Sequence, residues 1–317
     1  KRNQVKALRL NVAHDCNLRC AYCFASEGDY QGKKEIMPKR VARAAVDFLV
    51  AKSEGLRHLE IDFFGGEPLL AWDTIKDVVG YAKDLEKQVN KTFHFTMTTN
   101  AMLITEQNID FVHENMDNIV LSIDGRKRIH DALRVKVDGS GSYDQVIGNI
   151  IKLVELRKRD EKEYYVRGTF TKNNLDFAKD VLHLADMGLK EISIEPVVGD
   201  KGDFLLESQD LTMIKGQYDI LAKEYLDRKT SGVSPFSFYH FKFNLYDGPC
   251  IFKRLLACGA GREYLAVTPK GEIYPCHQFV GRDEFLMGTV FEKTLDDNII
   301  EEMKGTHVLA KPECSKC

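Results

Sequence analysis

Six times between Leu8 and Val197, a short run of β-branched and aromatic residues is followed by a longer stretch with apolar residues three and four apart. The runs are Leu8–Val12, Leu59–Phe64, Phe93–Thr98, Ile119–Ile123, Tyr165–Phe170 and Glu191–Val197. Val41, Ala44, Ala45, Phe48 and Leu49 mark one intervening helix, and Ile147, Ile150, Ile151 and Val154 mark another. Pro38 suits the first turn of the former, where its missing N–H is no loss. Strands joined through helices must lie parallel, with right-handed crossovers. The repeat therefore predicts an α/β fold. Six units are too few for the closed eight-stranded barrel, so the expected form is a partial (β/α)6 barrel. Ligands of such sheets gather at the C-terminal strand ends, and the motifs described below fall there.

A helix is expected from about Thr212 to Lys229, after which the repeat stops. From Ser234 onward aromatics, Gly and Cys dominate, with a hairpin of Tyr264–Thr268 and Glu272–Tyr274 around Pro269-Lys270-Gly271. We place a boundary near 235, giving a partial barrel over 1–235 and a small α+β domain over 236–317. The charge run Arg157–Glu163 reads as a solvated helix end and turn. With 317 residues and 44% hydrophobic content, the chain can bury a real core. A net charge of −3 gives no reason to expect nucleic acid or a membrane surface. No apolar run approaches the ~20 residues that span a bilayer. The chain starts at Lys1 without a secretory leader, so the expectation is a cytoplasmic protein with a trimmed or incomplete N-terminus.

The cysteines point to metal. They fall into two groups: Cys16, Cys20 and Cys23, then Cys250, Cys258, Cys276, Cys314 and Cys317, with none between Phe24 and Pro249. A chain of this size needs no disulfides, and clustered thiols without a secretory signal more often bind metal. A four-iron cubane is normally held by four thiolates. Cys16-x3-Cys20-x2-Cys23, directly after the first strand, would hold three irons and leave the fourth for a small chelating molecule. The alternatives are a zinc site completed by His14, or packing cysteines. Tyr22 and Phe24 beside them suit either a shielded aromatic ligand or ordinary packing.

This spacing, with the later motifs in order, resembles the radical S-adenosylmethionine (SAM) superfamily over roughly residues 7–235. The resemblance implies that the open iron takes the methionyl end of SAM and that one electron releases a 5′-deoxyadenosyl radical. Gly65-Gly66-Glu67-Pro68 resembles the segment that meets the SAM amino group. Thr99-Asn100 and Ser122-Ile123-Asp124 resemble segments around ribose and methionine; taken alone, either is plain turn chemistry. Arg134 and Arg167 are candidates for the SAM carboxylate, and Glu195 to Val197 for adenine packing.

Cys258-x12-Gly271-x4-Cys276 followed by Cys314-x2-Cys317 resembles the SPASM extension of radical SAM peptide-modifying enzymes. That resemblance implies up to two auxiliary four-iron clusters. Five cysteines are too few for eight positions, which implies a truncated chain or incompletely ligated clusters; a rubredoxin-like or zinc-ribbon site is the alternative. Cys250 either joins the first auxiliary cluster or packs as an apolar residue. The proposed grouping is Cys250, Cys258 and Cys276 for one cluster open to a substrate cysteine, with Cys314 and Cys317 beginning a second.

Four stretches, Asn11–Cys16, Asp62–Pro68, Tyr165–Thr171 and Tyr274–Gly281, are similar to the SCIFF-peptide maturases, which join cysteine sulfur to a carbon of another residue. The similarity implies a thioether-forming oxidoreductase, a small Cys-rich precursor peptide as partner, and a low-potential donor such as ferredoxin or flavodoxin. A sulfatase-maturase-like dehydrogenase of a Cys or Ser side chain is the neighbouring alternative. A non-catalytic iron–sulfur or zinc protein is the distant one, since it would leave the Gly-Gly-Glu segment unexplained.

Overall fold

The computed structural model describes residues 4–199, 202–242, 258–307 and 310–312. Its elements begin with β1 (Ala7–His14), β2 (Leu18–Cys20), β3 (Glu35–Ile36), α1 (Lys39–Lys52), β4 (His58–Gly65), α2 (Trp72–Glu86) and β5 (Thr92–Thr99). The middle holds α3 (Ile109–Asn115), β6 (Asn118–Ser122), α4 (Lys127–Leu133), β7 (Arg134–Lys136), α5 (Tyr143–Arg159), β8 (Glu163–Phe170), α6 (Ala178–Asp186) and β9 (Glu191–Pro196). After them come α7 (Leu211–Ser231), β10 (Ser237–Phe238), β11 (Tyr264–Val267), β12 (Glu272–Tyr274), β13 (Gly288–Thr289) and α8 (Asp297–Gly305). All six expected strands and the three expected helices are present, in the α/β class with parallel pairing.

One compact unit comprises Lys1–Cys16, Gly28–Met97 and Asn244–Cys317; the other comprises Asn17–Glu27 and Thr98–Phe243. These are divisions by contact, whereas the boundary near 235 is read from the change in sequence pattern. In the first unit the strand order is β5-β4-β1-β11-β12-β13, with β3 antiparallel on the end of β1. Parallel pairing of β1 with β4 (Leu8↔Ile61, Leu10↔Phe63) and of β4 with β5 (Ile61↔Phe95) stacks alternate apolar residues. Leu8, Leu10, Leu59, Phe63, Phe48 and Leu49 are all buried; a fully buried side chain of that size contributes about 1.5–3 kcal/mol. Arg9 and Asn11 alternate with these leucines on the other face of β1. Pro38 is the N-cap of α1, one position before the first turn expected from the sequence. The C-terminal hairpin adds to the same sheet: β11 runs parallel to β1 and antiparallel to β12. Gly271 makes its turn at φ 90°, which glycine adopts without a steric penalty.

In the second unit β6, β8, β9 and β10 lie in order, every adjacent pair parallel. A two-stranded ribbon of β2 and β7 pairs Cys20 with Arg134. Helix α7 buries only Leu221 and closes on Gly232 in the left-handed conformation. The charge run after α5 does form a helix end and turn, but Arg157 is fully buried rather than solvated. Its guanidinium donates to the carbonyls of Met116, Asp117 and Glu163, and burial lowers its pKa to about 10. Carbonyl acceptors at three strand and helix ends make that burial tolerable. Among the described residues no helix is long and apolar enough to cross a membrane.

Candidate functional site

At the end of β1 the chain passes through Asp15 to Cys16, against the end of β4. Gly66 N–H donates to Ala13 O at 2.8 Å and Glu67 N–H to Asp15 O at 2.9 Å. A Cβ on Gly65 would lie 2.2 Å from Ala13 O, and one on Gly66 would lie 2.1 Å from Asp15 O. A Cβ on Gly28 would stand 2.7 Å from the Cys16 Cβ. Three glycines therefore let bare backbone close around the Cys16 segment. Glu67 is fully buried, and its Oε1 accepts from Leu69 N–H at 3.0 Å, capping the short turn Pro68–Ala71. Its carboxylate thus serves the fold as well as any ligand. His14 is buried, its Nε2 without a partner among the described residues and its ring 4.7 Å from that of Tyr30; burial drops its pKa to about 4. Asn11, wholly buried, has no partner for either amide atom among the described residues, a signature of a site built for something else to bind.

Cys20 ends β2, and Cys23 follows in a turn closed by Cys23 N–H to Cys20 O at 3.1 Å. Beside them sits Asp124, fully buried after β6. Its carboxylate accepts from the Tyr22 hydroxyl, from Arg134 Nε at 3.0 Å and from Thr169 N–H at 2.9 Å. Arg134 Cζ stands 5.4 Å from the Tyr22 ring centroid, a cation–π contact. Burial pushes the Cys20 thiol up to about 12, with Arg134 opposing, so a metal must displace its proton on binding. Gly125, at φ 115°, leaves room for Asp180, which would meet its Cβ at 2.3 Å. Arg126 then ties that turn to Asp180 and Asp176 through Nε and both terminal nitrogens.

The remaining candidates are more scattered. Thr99 Oγ1 accepts from Ala101 N–H, and Asn100 bridges Met102 N–H and Asn17 Oδ1. Ser122 is half-buried and Phe24 exposed. Arg167 is exposed on β8, in register with Ser122 and Ser193. Glu195 accepts from Ser193 and pairs with His240 at 2.9 Å; that pairing holds its pKa down to about 2. Val197 is buried, its N–H on Phe170 O. Sequence reading missed Asn17 and His240, single polar residues without motif spacing. Arg9 and Asn11 were legible as polar positions inside a buried strand, and that signal went unused.

In the C-terminal segment, Gly261 N–H donates to Pro275 O at 2.9 Å, joining the loop after Cys258 to the residue before Cys276. Burial raises the Cys276 thiol, and Cys258 adds to it. Cys250, Cys314 and Cys317 lie outside the described residues. Among the described residues no three Cys, His, Asp or Glu side chains converge to hold a single metal ion. A cubane takes each thiolate on a different iron, so its ligands stand apart around a cage. The glycine-closed Cys16 segment beside an Asn11 amide without a partner among the described residues suits such a group, as does the desolvated Cys20 thiol; the desolvated Cys276 thiol, on the C-terminal segment, suits a separate one.

The Radical SAM superfamily profile matches residues 10–194, and the iron–sulfur cluster-binding domain called SPASM matches residues 258–317. The radical SAM cyclopropyl synthase TigE of Paramaledivibacter caminithermalis is 25% identical over 86% of this chain and 57% of its own length. This chain therefore spans little more than half of that relative. A cysteine-type anaerobic sulfatase-maturating enzyme of Clostridium novyi is 24% identical over 96% of the chain and 83% of its own. The fold matches anSMEcpe with bound AdoMet and Kp18Cys peptide at TM-score 0.80, 23% identity, 99% of this chain and 86% of that one. It also matches Streptococcus suis SuiB bound to precursor peptide SuiA at TM-score 0.66, 17% identity, 96% of this chain and 66% of that one. The chain belongs to the radical SAM superfamily, carries a SPASM region, and by that membership uses four-iron–four-sulfur clusters and SAM.

Proposed function

We propose that this chain is the catalytic part of a peptide maturase that forms a thioether between a cysteine sulfur and a carbon of another residue in a small Cys-rich precursor peptide. The pairing of β11 with β1 carries the reading. Ala7↔Tyr264 through Leu10↔Val267 build the SPASM hairpin onto the very strand that leads to Cys16. Cys276 follows that hairpin directly. The peptides named with anSMEcpe and SuiB support a peptide as substrate class.

In this reading Cys16, Cys20 and Cys23 hold the SAM-binding cluster, and Cys250, Cys258 and Cys276 hold an auxiliary one open to a substrate cysteine. Cys314 and Cys317 begin a second. When bound, the first cluster and SAM supply a 5′-deoxyadenosyl radical able to remove a peptide hydrogen. Glu67 takes the SAM amino group, and Arg134 or Arg167 takes its carboxylate. Asp124 fixes Arg134 through Nε and Tyr22 through its hydroxyl, so both enter the site with rotamers already held. Thr99, Asn100 and Ser122 line the ribose and methionine side; Phe24, Glu195 and Val197 line the adenine. A ferredoxin- or flavodoxin-like protein is the proposed electron donor.

A sulfatase-maturase-like oxidation of a Cys or Ser side chain is the second reading, favoured by the 83% of that relative's length which the chain spans. Anaerobically reconstituted protein, SAM, dithionite and a Cys-containing peptide distinguish the two. Both readings predict 5′-deoxyadenosine and removal of two hydrogens from the peptide; in the second, the thioaldehyde left by a Cys is then hydrolysed, so that water supplies the aldehyde oxygen and hydrogen sulfide leaves. Only the thioether removes an alkylatable thiol without producing an aldehyde, and an aldehyde would favour the second reading. Replacing Cys16, Cys20 and Cys23 by Ala should abolish 5′-deoxyadenosine; undiminished cleavage would sink both. Cys276→Ala should stop crosslinking yet leave SAM cleavage measurable.

A further inference from the structure

One face of β4, β1 and β11 carries a half-buried cation that no cofactor motif accounts for. Arg9 donates through Nε to Asp62 Oδ2 at 2.6 Å, and its Nη2 stands 2.6 Å from the same oxygen. The Phe64 ring lies under the guanidinium at 4.2 Å and the Tyr264 ring at 5.5 Å. On the remaining edge, Nη1 lies 2.8 Å from His277 Nδ1, which itself lies 3.2 Å from Cys276 Sγ. The same Nη1 lies 3.2 Å from His277 Nε2, so the guanidinium meets the imidazole at both ring nitrogens. The fixed positive charge is thus separated from the Cys276 sulfur by one ring nitrogen. Asp62 sits on the opposite edge, so the ion pair turns its positive end toward the cysteine.

This arrangement is more than packing. Even partly withdrawn from water, as Arg9 and Asp62 are, a guanidinium–carboxylate pair loses hydration that its mutual attraction must repay. An apolar pair on these strands would fill the volume without that cost. The charge must therefore do something local, and the group beside it is a sulfur. Reduction potentials of iron–sulfur clusters follow net charge, hydrogen bonding to sulfur and solvent exposure. A cation near one ligand stabilises the added electron, and a carboxylate opposes it.

We infer that Arg9 and Asp62 are positioning residues that set, with opposite signs, the reduction potential of the cluster ligated by Cys276. The inference rests on the reading that Cys276 is a cluster ligand. His277 holds the cation near the sulfur, and Phe64 and Tyr264 shield it in part from water.

The test uses the reconstituted chain with Cys16, Cys20 and Cys23 replaced by Ala, so that only C-terminal clusters give a paramagnetic signal on reduction. Midpoint potentials are read by titration with electron paramagnetic resonance for four proteins: otherwise unaltered, Arg9→Gln, Asp62→Asn and Arg9→Lys. Arg9→Gln should shift the oxidised-to-reduced ratio about tenfold toward oxidised, equivalent to 59 mV downward for one electron. Asp62→Asn should move it upward, and Arg9→Lys should stay near the unaltered protein. If Arg9→Gln loses its cluster, the other two variants still decide the sign. Shifts in the same direction for Arg9→Gln and Asp62→Asn, or no shift with full iron content, overturn the inference. Full C-terminal iron in Cys276→Ala would instead sink the ligand assignment beneath it.

Discussion

The Tyr22 hydroxyl lies 2.8 Å and 2.6 Å from the two carboxylate oxygens of Asp124, to which it donates. The turn of the cysteine motif is thereby fastened to the end of β6, and Arg134 shares the same carboxylate.

Removing parts of that junction should separate their contributions. Tyr22→Phe deletes one charge-assisted hydrogen bond and should cost about 1.5–3 kcal/mol in chemical denaturation of the cofactor-free protein. Asp124→Asn leaves buried Arg134 without its counter-charge and should cost about 3–5 kcal/mol. Equal effects of the two would show that the Arg134 pairing contributes nothing beyond the tyrosine bond.

Gly66 has no room for a side chain. Gly66→Ala would place Cβ 2.1 Å from Asp15 O, a backbone atom that cannot swing aside. The end of β4 must back away from the Cys16 segment, and iron content should fall by about four per chain. Gly80, in α2 with nothing within 4 Å of a Cβ, is the control. Gly80→Ala should leave iron unchanged and stabilise by about 0.5–1 kcal/mol.

Glu67 has a structural and a proposed ligand role, and two substitutions split them. Glu67→Gln keeps an acceptor for Leu69 N–H but loses the charge. Stability should hold, while SAM affinity measured calorimetrically falls roughly ten- to a hundredfold. Glu67→Ala loses the cap as well, at about 1 kcal/mol more in stability. Unchanged affinity in both would leave this carboxylate only its capping role.

His130 gives a pH dependence. Its ring is buried, donates through Nε2 to Ser142 Oγ, and accepts weakly through Nδ1 from Asp124 N–H, which suits the neutral form. Burial lowers its pKa from 6.5 to about 4. The unfolded chain therefore binds a proton that the folded chain refuses. His130 contributes fully above pH 6.5, and the contribution is lost as pH falls toward 4. Urea unfolding at pH 7.5 and pH 4.5 should show the unaltered protein losing about 2–3 kcal/mol more than His130→Gln. Parallel losses would place the acid sensitivity elsewhere.

The six strand–helix units, the C-terminal hairpin and the two cysteine groups were legible in the sequence, because each is written in local terms. A buried parallel strand needs consecutive apolar residues, a helix needs period 3.6, and a hairpin needs its glycine. What a charged residue does is not local. Arg157 sits in a run of charges that looks solvated, yet it is buried because three carbonyls from separate strand and helix ends reach it. Arg9 and Asp62 are far apart in the chain and become a pair only through the parallel register of β1 with β4, where they are direct partners. Asp124 likewise collects donors from β2's turn, from β7 and from β8. Periodicity determines which elements form and which face is apolar, since burial of apolar area is nearly indifferent to partner. Hydrogen bonds and ion pairs act over a few ångströms and need specific geometry, so only the tertiary structure decided which polar residues meet.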